Sequence, residues 1–143
     1  MFYNNSYKEK LLDAALNDLV GSPFSIWHRF KHRVGSNYLK VVEFRNFDFE
    51  KPLTDDYFKK IVIELRPKGI VIHFKIQTET FVWAVPYYQL HLYNTDFFSI
   101  HAQGKAVLIE KEKNFERNQA FLNKLIELKN IALEPHFEGP NGI

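Results

Sequence analysis

"RPKGIVIHFKIQ", residues 66–77, joins a Pro- and Gly-bearing turn to a run in which Ile70, Ile72, Phe74 and Ile76 fall on one face and His73, Lys75 and Gln77 on the other. A period of two, filled by β-branched and aromatic residues, predicts a half-buried strand, and one polar face predicts antiparallel neighbours. The run before the turn, "KKIVIEL" at 59–65, supplies a partner strand, so Arg66–Gly69 reads as a tight hairpin connection. Upstream lies "YLKVVEF" at 38–44, followed by the irregular "RNFDFEKPLTDD". Downstream, "TET" separates the run from "FVWAV", and Pro86 then marks a corner or an edge. In "YYQLHLY", Tyr88, Leu90 and Leu92 are set against Tyr87, Gln89, His91 and Tyr93. After "NTD", Phe98, Ile100 and Ala102 oppose Ser99, His101 and Gln103, and Gly104 leads into "KAVLIEK". The pattern predicts about seven strands in a meander.

Helices flank this region. Ser6 and Glu9 form a capping-box pattern, Leu11, Leu12, Ala15, Leu16, Leu19 and Val20 recur at helical spacing, and Gly21 offers a left-handed stop, so a helix is predicted over about 7–20. "PFSIWHRFKHRVG" at 23–35 sorts Pro23, Phe24, Trp27, Phe30 and Val34 onto one arc of a helical wheel and His28, Arg29, His32 and Arg33 onto the opposite arc, with Lys31 at the border. Ser22 as cap, Pro23 at the first position and Gly35 beyond the end agree with a second helix, which is favoured over a first strand. Phe115, Phe121, Leu122, Leu125, Ile126, Leu128 and Leu133 predict one closing helix with Asn114 as its cap, and "EPHFEGPNGI" reads as a loose tail.

At 143 residues the chain suits one domain, divided into a helical N-terminal extension (1–35), a sheet (36–112), a closing helix (113–133) and a tail (134–143). Aromatics reach 16%, with 14 Phe, so a large apolar area can be buried. The absence of cysteine excludes disulfides, zinc–thiolate sites and thiol nucleophiles. The start "MFYNNSYKEK" lacks a signal-peptide pattern and no apolar run has the length of a membrane span, so a cytoplasmic or at most peripheral protein is expected. A net charge of +2 and a pI near 8.7 give no global field for nucleic acid, and the scattered glycines form no phosphate loop.

The junction "FVWAVPYYQLHLY", followed by "FFSIHAQGKAVLIE" and the helix "NFERNQAFLNKLIEL", resembles the bacterial branch of the pleckstrin-homology-like superfamily over roughly Tyr38–Ile131. The resemblance implies a strongly bent sheet or partly open barrel of about seven strands closed by a C-terminal helix, here with two added N-terminal helices. It also implies binding of phosphoinositides, peptides or proteins rather than catalysis. In phosphoinositide binders of that family, basic residues surround the first hairpin; the matching positions here are Lys31, Arg33 and Lys40, provided that 23–35 is a strand.

His28 and His32 have the spacing for a metal on one helix face, but Arg29 follows His28, so the zincin glutamate is missing and flanking positive charge opposes a cation. No metal or other cofactor is expected. Together with Trp27, Arg29, Lys31 and Arg33, these histidines form a basic face that could meet phosphates or anionic lipid. On the strands, a turn at Asn94–Asp96 would pair His91 with Ser99 and Gln89 with His101, beside Tyr87, Tyr93 and Phe97. Exposed aromatics next to His and Gln suit a contact surface, unless the N-terminal helices cover them. The resulting expectation is an α+β domain of two N-terminal helices, about seven strands and a capping helix, which binds a protein or its own copy. The alternatives are anionic lipid binding by the second helix, and a hydrolase or metal-dependent enzyme using His73, His91 and His101. Catalysis would require those three histidines to converge in one pocket.

Overall fold

The alternating runs fold as strands, but their partners differ from a simple meander. The computed structural model describes residues 1–4, 10–25, 35–49, 60–76, 79–111 and 113–133. In chain order these form β1 (Phe2–Asn4), α1 (Lys10–Val20), β2 (Leu39–Arg45), β3 (Lys60–Arg66), β4 (Gly69–Ile76), β5 (Glu79–Pro86), a 3₁₀ turn (Tyr87–Gln89), β6 (His91–Asn94), β7 (Phe98–Ala102), β8 (Lys105–Ile109), α2 (Lys113–Arg117) and α3 (Gln119–Leu133). The eight strands make one open antiparallel sheet in the order β1-β5-β4-β3-β2-β8-β7-β6. Two meanders, β2 to β5 and β6 to β8, are joined where β8 returns beside β2.

The expected architecture is therefore corrected. Among the described residues there is one N-terminal helix instead of two, there are eight strands instead of seven, and two C-terminal helices replace the single cap. Ser22, Pro23, Phe24 and Ser25 are not helical, which removes the expected start of the second helix; residues 26–34 lie outside the described residues. The additional strand, β1, is too short to show a period. It is held by pairing Phe2 with Trp83, Tyr3 with Val82 and Asn4 with Phe81. The C-terminal helix breaks at Asn118, which is fully buried: its Oδ1 accepts from the Asn37 N–H at 2.8 Å while its carbonyl oxygen accepts from the Leu122 N–H at 2.9 Å. A buried amide committed to a distant backbone group interrupts the helix, and hydrophobic spacing alone does not reveal it.

β2 is the hinge between the halves. Leu39 and Lys40 pair with β3, whereas Val41 to Arg45 pair with β8, with a bulge between Val41 and Glu43. A bulge bends its strand, so the two halves can enclose a common core. Ile63, Ile72 and Trp83 from one half meet Ile100, Val107 and Ile109 from the other, all fully buried, and Phe121, Leu122 and Leu125 of α3 complete the layer. The irregular segment after β2 also contributes. Phe47 lies edge-on to Trp83 at 4.9 Å, and Phe49 lies edge-on to Phe81 at 5.4 Å.

The opposite face of the β1-β5-β4-β3 half carries a second core. Leu16 and Val20 of α1 pack on Val71, Val82 and Ala84. β4 is thus buried on both faces near Val71 instead of half-buried. Gly21, with φ of 88°, ends α1 as expected, and its N–H donates to the Asn17 carbonyl at 2.8 Å. Gly69 is required by close approach: a Cβ there would lie 2.3 Å from the Val85 carbonyl oxygen and 2.7 Å from Val20 Cγ1. Gly69→Ala should therefore lower stability by about 1–3 kcal/mol, the usual cost of overpacking, seen as a lower urea midpoint with an unchanged slope.

Candidate functional site

The outer face of the β2-β8-β7-β6 half is built by register. Arg45 pairs with Ala106, Ala106 with His101, and His101 with His91, making one row across four strands. The neighbouring row runs Glu43, Leu108, Ser99 and Tyr93. No described helix packs over these rows: α1 lies against β4 and β5, and α3 contributes to the inner core. Tyr93 is 52% exposed and Phe97 38%.

The observed register differs by two residues from the expected one, with His91 opposite His101 instead of Ser99. Asn94 pairs with Phe98, so Phe97 belongs to the turn and not to the strand. The Lys111 ammonium donates to the Thr95 carbonyl and holds this longer turn. Because the slip is by two residues, His91, Tyr93, Ser99 and His101 stay on their expected face.

Arg45, Asn46, Gln89, His91, His101, Gln103 and Lys105 line an open groove of about 630 Å³ at the end of this face. Its described lining is rich in hydrogen-bond donors and contains no carboxylate. Glu43 stands just outside and pairs with Arg45 Nε at 3.1 Å. The His101 ring meets Tyr93 edge-on at 4.9 Å, and its Nε2 shares a hydrogen bond with Ser99 Oγ at 3.1 Å. Burial, followed by the charge of Arg45 and of His91, holds the His101 imidazole below its ordinary pKa.

Gln103 fixes the groove. It sits in the two-residue β7–β8 turn with φ of 55°, a left-handed conformation that costs a side-chain-bearing residue energy. Its amide explains the choice of residue. Oε1 accepts from Trp83 Nε1 at 3.1 Å and from the Met1 nitrogen at 2.6 Å, while Nε2 donates to the Ala84 carbonyl at 3.2 Å and to Gln89 Oε1 at 2.9 Å. Asn46, the other non-glycine residue with positive φ, donates from Nδ2 to the Gly104 carbonyl at 2.9 Å. Both turns are thereby clasped to the same rim. Sequence reading missed Arg45, Asn46, Gln103 and Lys105; the last two flank Gly104 in a hairpin turn, which was the one available signal.

The other expected site residues separate. Tyr87 is not on the surface: it is 2% exposed, and its hydroxyl donates to the Arg66 carbonyl at 2.8 Å. The 3₁₀ turn at Tyr87–Gln89 breaks the alternation there and turns Tyr88 outward instead. Burial raises the Tyr87 phenol well above its ordinary pKa. His73 does not join His91 and His101. It lies on the α1 side of the other half, with Nε2 3.0 Å from Glu64 Oε1. Trp27, His28, Arg29, Lys31, His32 and Arg33 lie outside the described residues. Among the described residues no group of three or more His, Asp or Glu could hold a metal ion, and no helix is long and apolar enough to cross a membrane. No family model, curated protein or solved structure matches the chain.

Glu64 also receives Arg66 Nε at 2.7 Å, and Arg66 Nη1 donates to Asn17 Oδ1 at 3.0 Å and to the Gly21 carbonyl at 2.9 Å. Burial alone would raise the Glu64 carboxyl, but hydrogen bonds from His73 and Arg66, reinforced by their charge, outweigh it and set the pKa below the ordinary value. Such a carboxylate contributes stability above the unfolded pKa and loses it as pH falls through the lowered folded pKa. Glu64→Gln should therefore be less stable than the parent near neutrality and should lose less on acidification, in urea unfolding measured across the acid range. Arg66→Leu, which removes the guanidinium from Glu64 and from the α1 terminus, should cost about 3–5 kcal/mol.

Proposed function

We propose that this protein is a non-catalytic binding module whose contact surface is the outer face of the β2-β8-β7-β6 half, and that its partner is a protein. The observation that carries the reading is the exposed Tyr93 on a sheet face that no described helix covers, with the exposed Phe97 in the turn beside it. Large aromatic side chains supply contact area at low entropic cost and are enriched among residues that dominate binding energy. Tyr93 stands between the polar groove and a second depression of about 190 Å³, where it meets Leu92, Phe98 and the exposed Ile126 of α3. A polar groove and an apolar depression on either side of one aromatic residue give the mixed surface typical of protein interfaces. The resemblance to pleckstrin-homology-like domains supports the same class of activity.

A photo-crosslinking residue placed at Phe97 or Tyr93 in living cells tests this reading against the same probe at Leu11, which is 81% exposed on α1. Discrete protein adducts should form from Phe97 and Tyr93 and not from Leu11. Adducts from Leu11 alone, or from no position, would overturn the assignment. An adduct of twice the chain's own mass would identify the partner as a second copy.

A further inference from the structure

The groove beside Tyr93 has a chemistry that aromatic contact does not explain. We infer that it is a binding site for the phosphate group of a small anionic ligand, held by Arg45, His91, His101 and Lys105. This goes beyond the protein-contact reading and does not depend on it.

Four observations converge. The first is charge: Arg45 and Lys105 carry fixed positive charge, His91 and His101 can add more, and the described lining has no carboxylate to cancel it. Glu43 engages only Nε of Arg45, and among the described residues Lys105 has no ion-pair partner. Second, the lining contains the side-chain amides of Asn46 and Gln89, each of which has an N–H beyond the hydrogen bond it already makes and can donate it to a phosphate oxygen between the charged groups. Third, about 630 Å³ lies in the range of small-molecule sites and exceeds what one side chain would fill. Fourth, among the described residues the two non-glycine positions with left-handed backbone, Asn46 and Gln103, are both in the rim. Both are clasped by hydrogen bonds, which hold the rim in one shape.

A divalent cation fits the same residues poorly. His91 and His101 are cross-strand neighbours, but Arg45 stands in their row, and burial followed by the Arg45 charge lowers the affinity of His101 even for a proton. An anion reverses that relation, because it is attracted by the guanidinium and favours the imidazolium form of His101. The groups on the face of the imidazoles are Arg45 and Glu43 on β2 and Tyr93 on β6, whereas Lys105, opposite Ala102 at the start of β8, lines the groove from its rim near the Met1 nitrogen. Lowering the pH therefore adds charge on His101 against a background already positive.

Inorganic pyrophosphate, titrated into the full chain and followed by NMR of backbone amides and histidine ring nitrogens, tests the proposal at constant ionic strength. Saturable shifts should cluster at Arg45, His91, His101 and Lys105, and binding should be tighter at about pH 6 than at about pH 8, across the ordinary imidazole range. Lys105→Gln and His91→Gln should each weaken binding several-fold while leaving the thermal midpoint near the parent's. Flotation with phosphatidylcholine vesicles, with and without phosphatidic acid, separates the sources: capture lost in the same variants assigns the phosphate to a lipid headgroup, whereas pyrophosphate binding without capture assigns it to a soluble molecule. Shifts scattered over the surface, or binding unchanged in both folded variants, would overturn the site, as would the absence of any response to either probe. Crosslinking from Phe97 can fail without altering these readouts, so the two proposals fall separately.

Discussion

The Arg66 guanidinium is the interaction on which the remaining arrangement depends. It is nearly buried at the end of β3, where its Nε is 2.7 Å from Glu64, and it reaches across to the last turn of α1. A helix ends with carbonyl groups that lack intrahelical donors. Here the β3–β4 turn supplies them: Arg66 donates to the Gly21 carbonyl and the Lys68 N–H donates to that of Val20 at 2.8 Å. The Arg66 carbonyl accepts from Tyr87, which anchors the point where the chain leaves β5 for β6. One residue thus fixes how α1 lies on the first half of the sheet and where the second half begins. Burying that charge is tolerable because Glu64, Asn17 and the Gly21 carbonyl all accept from the guanidinium.

A consequence is that the outer faces of the two halves differ in kind. On the first, α1 places Leu16 and Val20 over Val71, Val82 and Ala84, and the one polar side-chain atom there that is buried without a partner among the described residues is the Tyr3 hydroxyl. On the second face Arg45, His101 and His91 stand in register beside the exposed Tyr93. Gln103 connects the halves from the other end, since its amide joins the β7–β8 turn to β5 and to the start of the chain. The same side chain therefore closes the fold and shapes the groove.

Much of this was legible in local periodicity. The runs around Ile61–Leu65, Ile70–Phe74 and Phe98–Ala102 alternate because one face meets a common core, and each became a strand with the expected inward face. What escaped depends on contacts distant in sequence. β1 exists only because β5 accepts it, and Asn118 breaks a helix because Asn37 needs an acceptor. Tyr87 was read onto the surface because alternation was carried through Pro86, where a 3₁₀ turn resets the phase. His91 and His101 were correctly placed together on the polar face, but Arg45 and Lys105 come from strands whose pairing no local pattern specifies. The groove is a product of the β2–β8 junction, so its charge could be recognised only after that junction was known.

The most direct measurement of the difference between the two faces is paramagnetic relaxation of methyl and aromatic NMR signals by a neutral gadolinium chelate in solution. Val71 and Val82 point away from the inner core on one half, as Leu108 and Tyr93 do on the other. The account predicts strong relaxation at Tyr93 and clear relaxation at Leu108, with Val71 and Val82 protected to the level of the inner core. Protection of Tyr93 and Leu108 equal to that of Val71 would show that the chain covers its own second face, and would contradict the assignment of that face as the binding surface.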